Sequence, residues 1–142
     1  MRIVRDVYHQ VLGLCAEQGR ETGGIIGGQG DLVGQFVFDA GASVGELGSY
    51  SPDITCVNRC LENWYQQGVA FLGIVHSHFQ SFEQLSSGDR QYIQNILQAM
   101  PPLISRLYFP IVFPCKSKIV SFVAERRYDG TTEIQTDGIT II

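Results

Sequence analysis

The segment Gly73–Leu97, GIVHSHFQSFEQLSSGDRQYIQNIL, joins a strand pattern, a polar junction and a helix pattern in one stretch. The run Val69–Val75 is almost wholly apolar, as in a strand that is covered on both faces. On a strand, side chains two positions apart point to the same face. We therefore expect the imidazoles of His76 and His78 to reach one point in space, where a rigid strand ends in a loop.

A helix is predicted directly after this junction. Its apolar positions recur at three- and four-residue spacing: Tyr92, Ile93, Ile96, Leu97 and Met100. A serine followed three residues later by an acid marks a helix N-terminus, and Ser86 and Asp89 have this spacing. Two imidazoles and one carboxylate are suitable ligands for zinc, with the fourth tetrahedral position left for water. The sequence therefore predicts a catalytic site in which His76, His78 and Asp89 hold one Zn²⁺ per chain.

Together with a glycine-rich strand upstream, these residues resemble a known motif. The upstream part is ETGGIIGG over residues 21–28, and the downstream part is His-x-His, seven residues, Ser, two residues and Asp. The combination is similar to the JAMM motif of the JAB/MPN metallopeptidases. The resemblance covers most of the chain, from Val7 to the strands after Pro110. One position departs from the family pattern, because Phe79 stands where the family usually has proline.

The resemblance implies a compact, bacterial-type JAB domain with an MPN/JAB-like fold and the layering of cytidine deaminases. It implies a zinc-dependent peptidase or isopeptidase that hydrolyses an amide bond after the Gly-Gly tail of a ubiquitin-like protein or a related peptide. The expected partner is the C-terminal tail of a ubiquitin-like or sulfur-carrier protein, with or without E1- or E2-like enzymes. The alternative is a non-catalytic MPN scaffold that binds partners, although such domains typically lose a ligand or the glutamate.

Two further residues have expected catalytic roles. Glu21 is the candidate general base, which would accept a proton from zinc-activated water and pass it to the leaving amine. Taken alone, a glutamate at the start of a strand would be a solvated surface residue. Ser86 is the candidate hydroxyl donor to the oxyanion that forms on the attacked carbonyl. A helix N-cap is the alternative role for Ser86, and Ser87 is the rival cap.

Length and composition favour one globular domain over residues 1–142. The net charge of −4 argues against a nucleic-acid partner, because such proteins usually carry a basic surface. No apolar run approaches the roughly 20 residues of a membrane span, and the charged N-terminus is not a secretion signal. We therefore expect a cytoplasmic protein with no membrane partner. Its four cysteines are expected to be reduced, buried and structural.

The remaining pattern predicts the α/β class, with a single mixed sheet packed with three helices. Helices are expected over about residues 2–18, from residue 51 to Gly68, and up to Pro101. Strands are expected over residues 21–28, 32–39, 69–75, 105–113, 118–126 and 132–142. Residues 41–51 are rich in Gly and Ser and predict a loop, which in the resembling family borders the substrate channel. Trp64 is expected in the core.

Overall fold

The computed structural model describes residues 1–42, 50–80 and 82–142. Within these residues, nine strands form one mixed sheet: β1 (Arg2–Ile3), β2 (Gly23–Gln29), β3 (Leu32–Asp39), β4 (Ala70–Ser77), β5 (Arg106–Tyr108), β6 (Ile111–Phe113), β7 (Lys118–Arg126), β8 (Thr132–Asp137) and β9 (Thr140–Ile141). The helices described there are α1 (Arg5–Ala16), α2 (Ile54–Gln67) and α3 (Ser87–Ala99). None of the helices in this described part is long and apolar enough to cross a membrane. The predicted class, a mixed sheet with three helices, is confirmed.

The centre of the sheet is β4, which pairs antiparallel with β2 on one side. On its other side β4 runs parallel to both β5 and β6, which lie end to end and share the antiparallel partner β7. Beyond β2 the order continues through β3 and β1 to β9, while β8 pairs with β7 at the opposite end. Because only Gly138 and Ile139 separate β8 from β9, the chain itself joins the two ends of the sheet.

Alternate residues of the central strands face two different helix layers. Ile26 and Val75 belong to the core cluster that contains the buried face of α1. Ile74 belongs to the second cluster, which includes the buried residues of α2 and α3. Because side chains alternate along a strand, His76 and His78 lie on the same face as Ile74, toward α2 and α3.

Helix α2 is held at its two ends and by one aromatic ring. The side chain of Asp53 accepts hydrogen bonds from two amides of the first turn, and Gly68 ends the helix in the left-handed conformation. Trp64 is only 4% exposed, which confirms its predicted core position. Its ring packs over Gly27, where a Cβ atom would lie 2.6 Å from a ring carbon. Not every apolar residue of α2 is buried, since Ile54 is 63% exposed.

Replacing Trp64 with alanine is expected to lower the free energy of unfolding by about 3–5 kcal/mol, because it empties the space between α2 and β2. Urea denaturation of the purified protein measures this loss. The matched control is Tyr65→Ala on the same helix, since Tyr65 is 87% exposed and should cost less than about 0.5 kcal/mol. Equal losses for the two variants would mean that α2 is not anchored through Trp64.

Three predicted elements differ from the observed ones. Helix α1 begins at Arg5 and not at residue 2, because Arg2–Ile3 pairs in parallel with both β3 and β9. The predicted strand 105–113 is interrupted at Pro110, which has no amide hydrogen to donate to a ladder. The predicted strand 132–142 divides at Gly138, because its two halves pair with different strands.

Two other expectations concern residues 41–51 and the cysteines. The predicted loop over residues 41–51 falls mostly on residues 43–49, which lie outside the part of the chain that the structure describes. All four cysteines are free thiols, and Cys15, which belongs to α1, is fully buried as expected. The expectation of burial was wrong for Cys56 and Cys115, which are exposed. The position of a cysteine on a helix or at a turn does not by itself indicate whether its thiol faces the core or solvent.

Candidate metal centre

The two histidines lie at the end of β4, where their backbone amides bond to the neighbouring segment around β6. The amide of His76 donates to the carbonyl of Pro110 at 3.2 Å, and the amide of His78 donates to the carbonyl of Val112 at 2.8 Å. Both side chains are buried, and their Nε2 atoms are 2.9 Å apart. The edge of the His78 ring also packs against Phe113. The structure therefore brings the two imidazoles to one point, as the spacing predicts.

Asp89 reaches the same point from the first turn of α3 because a reciprocal N-terminal cap orients it. The Asp89 amide donates to Oγ of Ser86 at 3.0 Å, and the Ser86 amide donates to Oδ2 of Asp89 at 2.8 Å. The other carboxylate oxygen, Oδ1, lies 3.7 Å from Nε2 of His76 and 3.7 Å from Nε2 of His78. One oxygen of Asp89 thus caps the helix while the other faces the two imidazoles.

The three donor atoms have the separations that a tetrahedral metal ion requires. Metal–ligand bonds of about 2.0–2.1 Å in a tetrahedron place neighbouring donors about 3.3 Å apart. The observed separations of 2.9, 3.7 and 3.7 Å bracket that value. His76, His78 and Asp89 therefore form a cluster that could hold a metal ion. Imidazole and carboxylate donors suit zinc and several other first-row metals.

The charge states of these groups favour metal binding at neutral pH. Burial alone would raise the pKa of Asp89, but interactions with His76 and Ser86 outweigh it and hold that pKa well below its usual range. Burial, followed by the charge of His76, lowers the pKa of His78, although Asp89 opposes the shift. Both shifts favour the forms that ligate metals, which are the carboxylate and the neutral imidazole.

Glu21 stands beside the histidines because β2 is tied to β4. Gly23 pairs with His76, and the pairing continues as the Ser77 amide donates to the carbonyl of Thr22 at 2.8 Å. The Ser77 hydroxyl also accepts a hydrogen bond from the Thr22 amide at 2.9 Å. Glu21 lies two residues before Gly23, on the face that His76 occupies. Burial raises the pKa of the Glu21 carboxyl, while the charge of His76 partly offsets this rise.

These groups line one cleft of about 300 Å³: Glu21, Tyr50, His76, His78, Ser86, Gly88, Asp89 and Tyr92. All five residues that the sequence singles out for chemistry thus border the same space. Ser86 is the N-cap of α3, which is the alternative role stated for it above. It also borders the cleft, where a hydroxyl donor to an oxyanion would have to lie. Three residues of the lining had no predicted role in the site, namely Tyr50, Gly88 and Tyr92. Tyr92 follows Asp89 at the i+3 spacing that shares a helix face, whereas Tyr50 carried no sequence signal.

The arrangement of sheet and helices is an MPN/JAB-like fold, as comparison with solved structures shows. One similar structure is the JAB1/MPN domain protein AF2198 from Archaeoglobus fulgidus, with a TM-score of 0.54 and 14% identity over 100% of this chain and 99% of that chain. Another is protein DSY2949 from Desulfitobacterium hafniense, with a TM-score of 0.72 and 18% identity over 100% of this chain and 93% of that chain. No protein-family model and no curated protein matches the sequence. At these identities the likeness shows the fold alone.

Proposed function

We propose that this protein is a zinc-dependent metallopeptidase, acting as a peptidase or an isopeptidase. Its substrate would be an amide bond after the Gly-Gly tail of a ubiquitin-like or sulfur-carrier protein, or of a related peptide. The observation that carries this proposal is the convergence of three metal-ligating atoms beside Glu21 in one cleft. An MPN/JAB-like fold supports the same class of activity.

His76, His78 and Asp89 would hold the ion. Zinc bound there supplies Lewis acidity, which lowers the pKa of water and polarises a carbonyl group. Glu21 accepts the proton of the attacking water and transfers it to the leaving amine. Because Ser86 Oγ accepts the Asp89 amide, its own hydroxyl proton is left to donate to the carbonyl oxygen as negative charge develops there.

The shape of the cleft supports a substrate with little side-chain bulk. Its volume of about 300 Å³ is at the lower end of ligand pockets, and Tyr50 and Tyr92 contribute to its walls. Successive glycines in an extended substrate would let its backbone approach such a site closely.

Metal content and hydrolysis, measured on the same preparation, test the proposal. The probe is a Gly-Gly-terminated peptide joined by an isopeptide bond to a lysine side chain, with a fluorophore and a quencher on opposite sides of the bond. We expect one zinc ion per chain, and hydrolysis that a chelator abolishes and added zinc restores. A protein that binds zinc but cleaves neither this probe nor an intact ubiquitin-like conjugate would favour the non-catalytic scaffold instead.

A further inference from the structure

Asp39, at the end of β3, connects three segments beside the cleft. Its Oδ2 atom accepts the hydroxyl of Tyr50 at 2.8 Å and the backbone amide of Asp53 at 2.8 Å. Its Oδ1 atom accepts the amide of Gly41 at 3.3 Å. The residue is partly buried, so these bonds are worth more than equivalent bonds at a fully solvated site. Asp39 therefore joins the end of a core strand to Tyr50 and to the start of α2.

Tyr50, in turn, borders the cleft beside Glu21 and packs against the strand that follows Glu21. Both residues line the cleft. The Tyr50 ring covers Gly23, where a Cβ atom would lie 2.7 Å from a ring carbon and 2.1 Å from the carbonyl oxygen of Val75. Only glycine fits at this position beside the ring. Anchoring the Tyr50 hydroxyl therefore also fixes the ring against the strand that follows the candidate base.

We propose that Asp39 and Tyr50 are a positioning pair, whose hydrogen bond fixes the wall of the cleft beside Glu21 and so limits where that carboxylate can move. A glutamate has three rotatable side-chain bonds, and restricting them before reaction removes an entropic cost from the reacting state. The bond between Asp39 and the Tyr50 hydroxyl keeps the Tyr50 ring against Gly23, two residues after Glu21, and at the border of the cleft. The consequence of this pair for catalysis rests on the proposed hydrolase function, whereas its effect on the segment around Tyr50 does not.

The first test is Tyr50→Phe, which removes only the hydroxyl that Asp39 holds. In zinc-free protein, we expect hydrogen exchange of the Ala42 amide, which donates to the carbonyl of Ser51 at 2.8 Å, to become faster by about tenfold, because the segment around Tyr50 is less firmly held. In zinc-loaded protein, kcat for the isopeptide probe should fall by about tenfold, with KM and zinc content unchanged, because misplacement of a reacting group acts on the chemical step. The matched control is Tyr65→Phe, which removes the same atom from an exposed residue and should change none of these quantities.

The second test uses Asp39→Ala alone and combined with Tyr50→Phe. Because both changes break the bond between Asp39 and the Tyr50 hydroxyl, the double variant should be no slower than the worse single variant. Asp39→Ala also perturbs the start of α2, so its melting temperature is measured with the kinetics. Wild-type exchange and wild-type kcat in Tyr50→Phe would overturn the positioning pair and leave the hydrolase intact. An inactive wild-type protein with accelerated exchange in Tyr50→Phe would retain the pair and reject the hydrolase.

Discussion

Replacing Glu21 with glutamine is expected to leave the zinc content at the wild-type level and to lower kcat for the isopeptide probe by about 10²- to 10⁴-fold. Glutamine has nearly the same shape but cannot accept and release a proton near neutral pH. The three ligating atoms come from β4 and α3, so their separations do not depend on the Glu21 side chain. Elemental mass spectrometry and single-substrate kinetics on one preparation measure the two quantities.

The control for this variant is Glu62→Gln, which removes one negative charge from an exposed position on α2. It should leave both zinc content and kcat unchanged, so that a change in net charge alone is excluded as the cause. If Glu21→Gln lost its zinc, Glu21 would be a ligand and not the base. If it kept wild-type turnover, another group would have to carry the proton.

Substitution of a proposed zinc ligand should lower the zinc content, which Glu21→Gln is expected to leave unchanged. In Asp89→Asn, the amide oxygen can still accept the Ser86 amide and so maintain the helix cap, but the amide nitrogen cannot ligate zinc. We expect zinc affinity to fall by more than the roughly 10- to 100-fold that loss of an outer hydrogen-bond partner costs. His78→Ala should give the same result without any change at the cap. Titration with a competing chelator measures these affinities.

His9→Ala is the matched control, since His9 is the third histidine of the chain and lies exposed on α1. It should retain full zinc affinity. Melting temperatures of the zinc-free proteins show whether a loss of metal reflects a lost ligand or a damaged fold. Wild-type zinc affinity in both Asp89→Asn and His78→Ala would contradict the assignment of this cluster as the metal centre.

The local features of the site could be predicted because they depend on short-range periodicity. Ile74 and His76 are two positions apart, so the strand alternation alone assigns His76 to the same face as Ile74. Ser86 and Asp89 have capping-box spacing, and the structure has the reciprocal hydrogen bonds of that motif.

Contacts between distant segments could not be predicted in this way. Nothing near Tyr50 in the sequence indicates that its hydroxyl bonds to Asp39 or that its ring covers the strand after Glu21. Likewise, the pattern of residues 132–142 indicates extended chain, but not that its two halves pair with strands at opposite ends of the sheet. These contacts and strand pairings depend on which distant segments pack together in the folded chain.

By itself, the sequence determined the order and type of most elements, the shared face of His76 and His78, and the cap that begins α3, because backbone geometry and capping act over a few residues. The tertiary structure decided which oxygen of Asp89 faces the imidazoles and how closely the donors converge. It also decided that Tyr50 borders the cleft. These outcomes depend on packing α3 and the segment before α2 against β4 and β2, which no local pattern encodes.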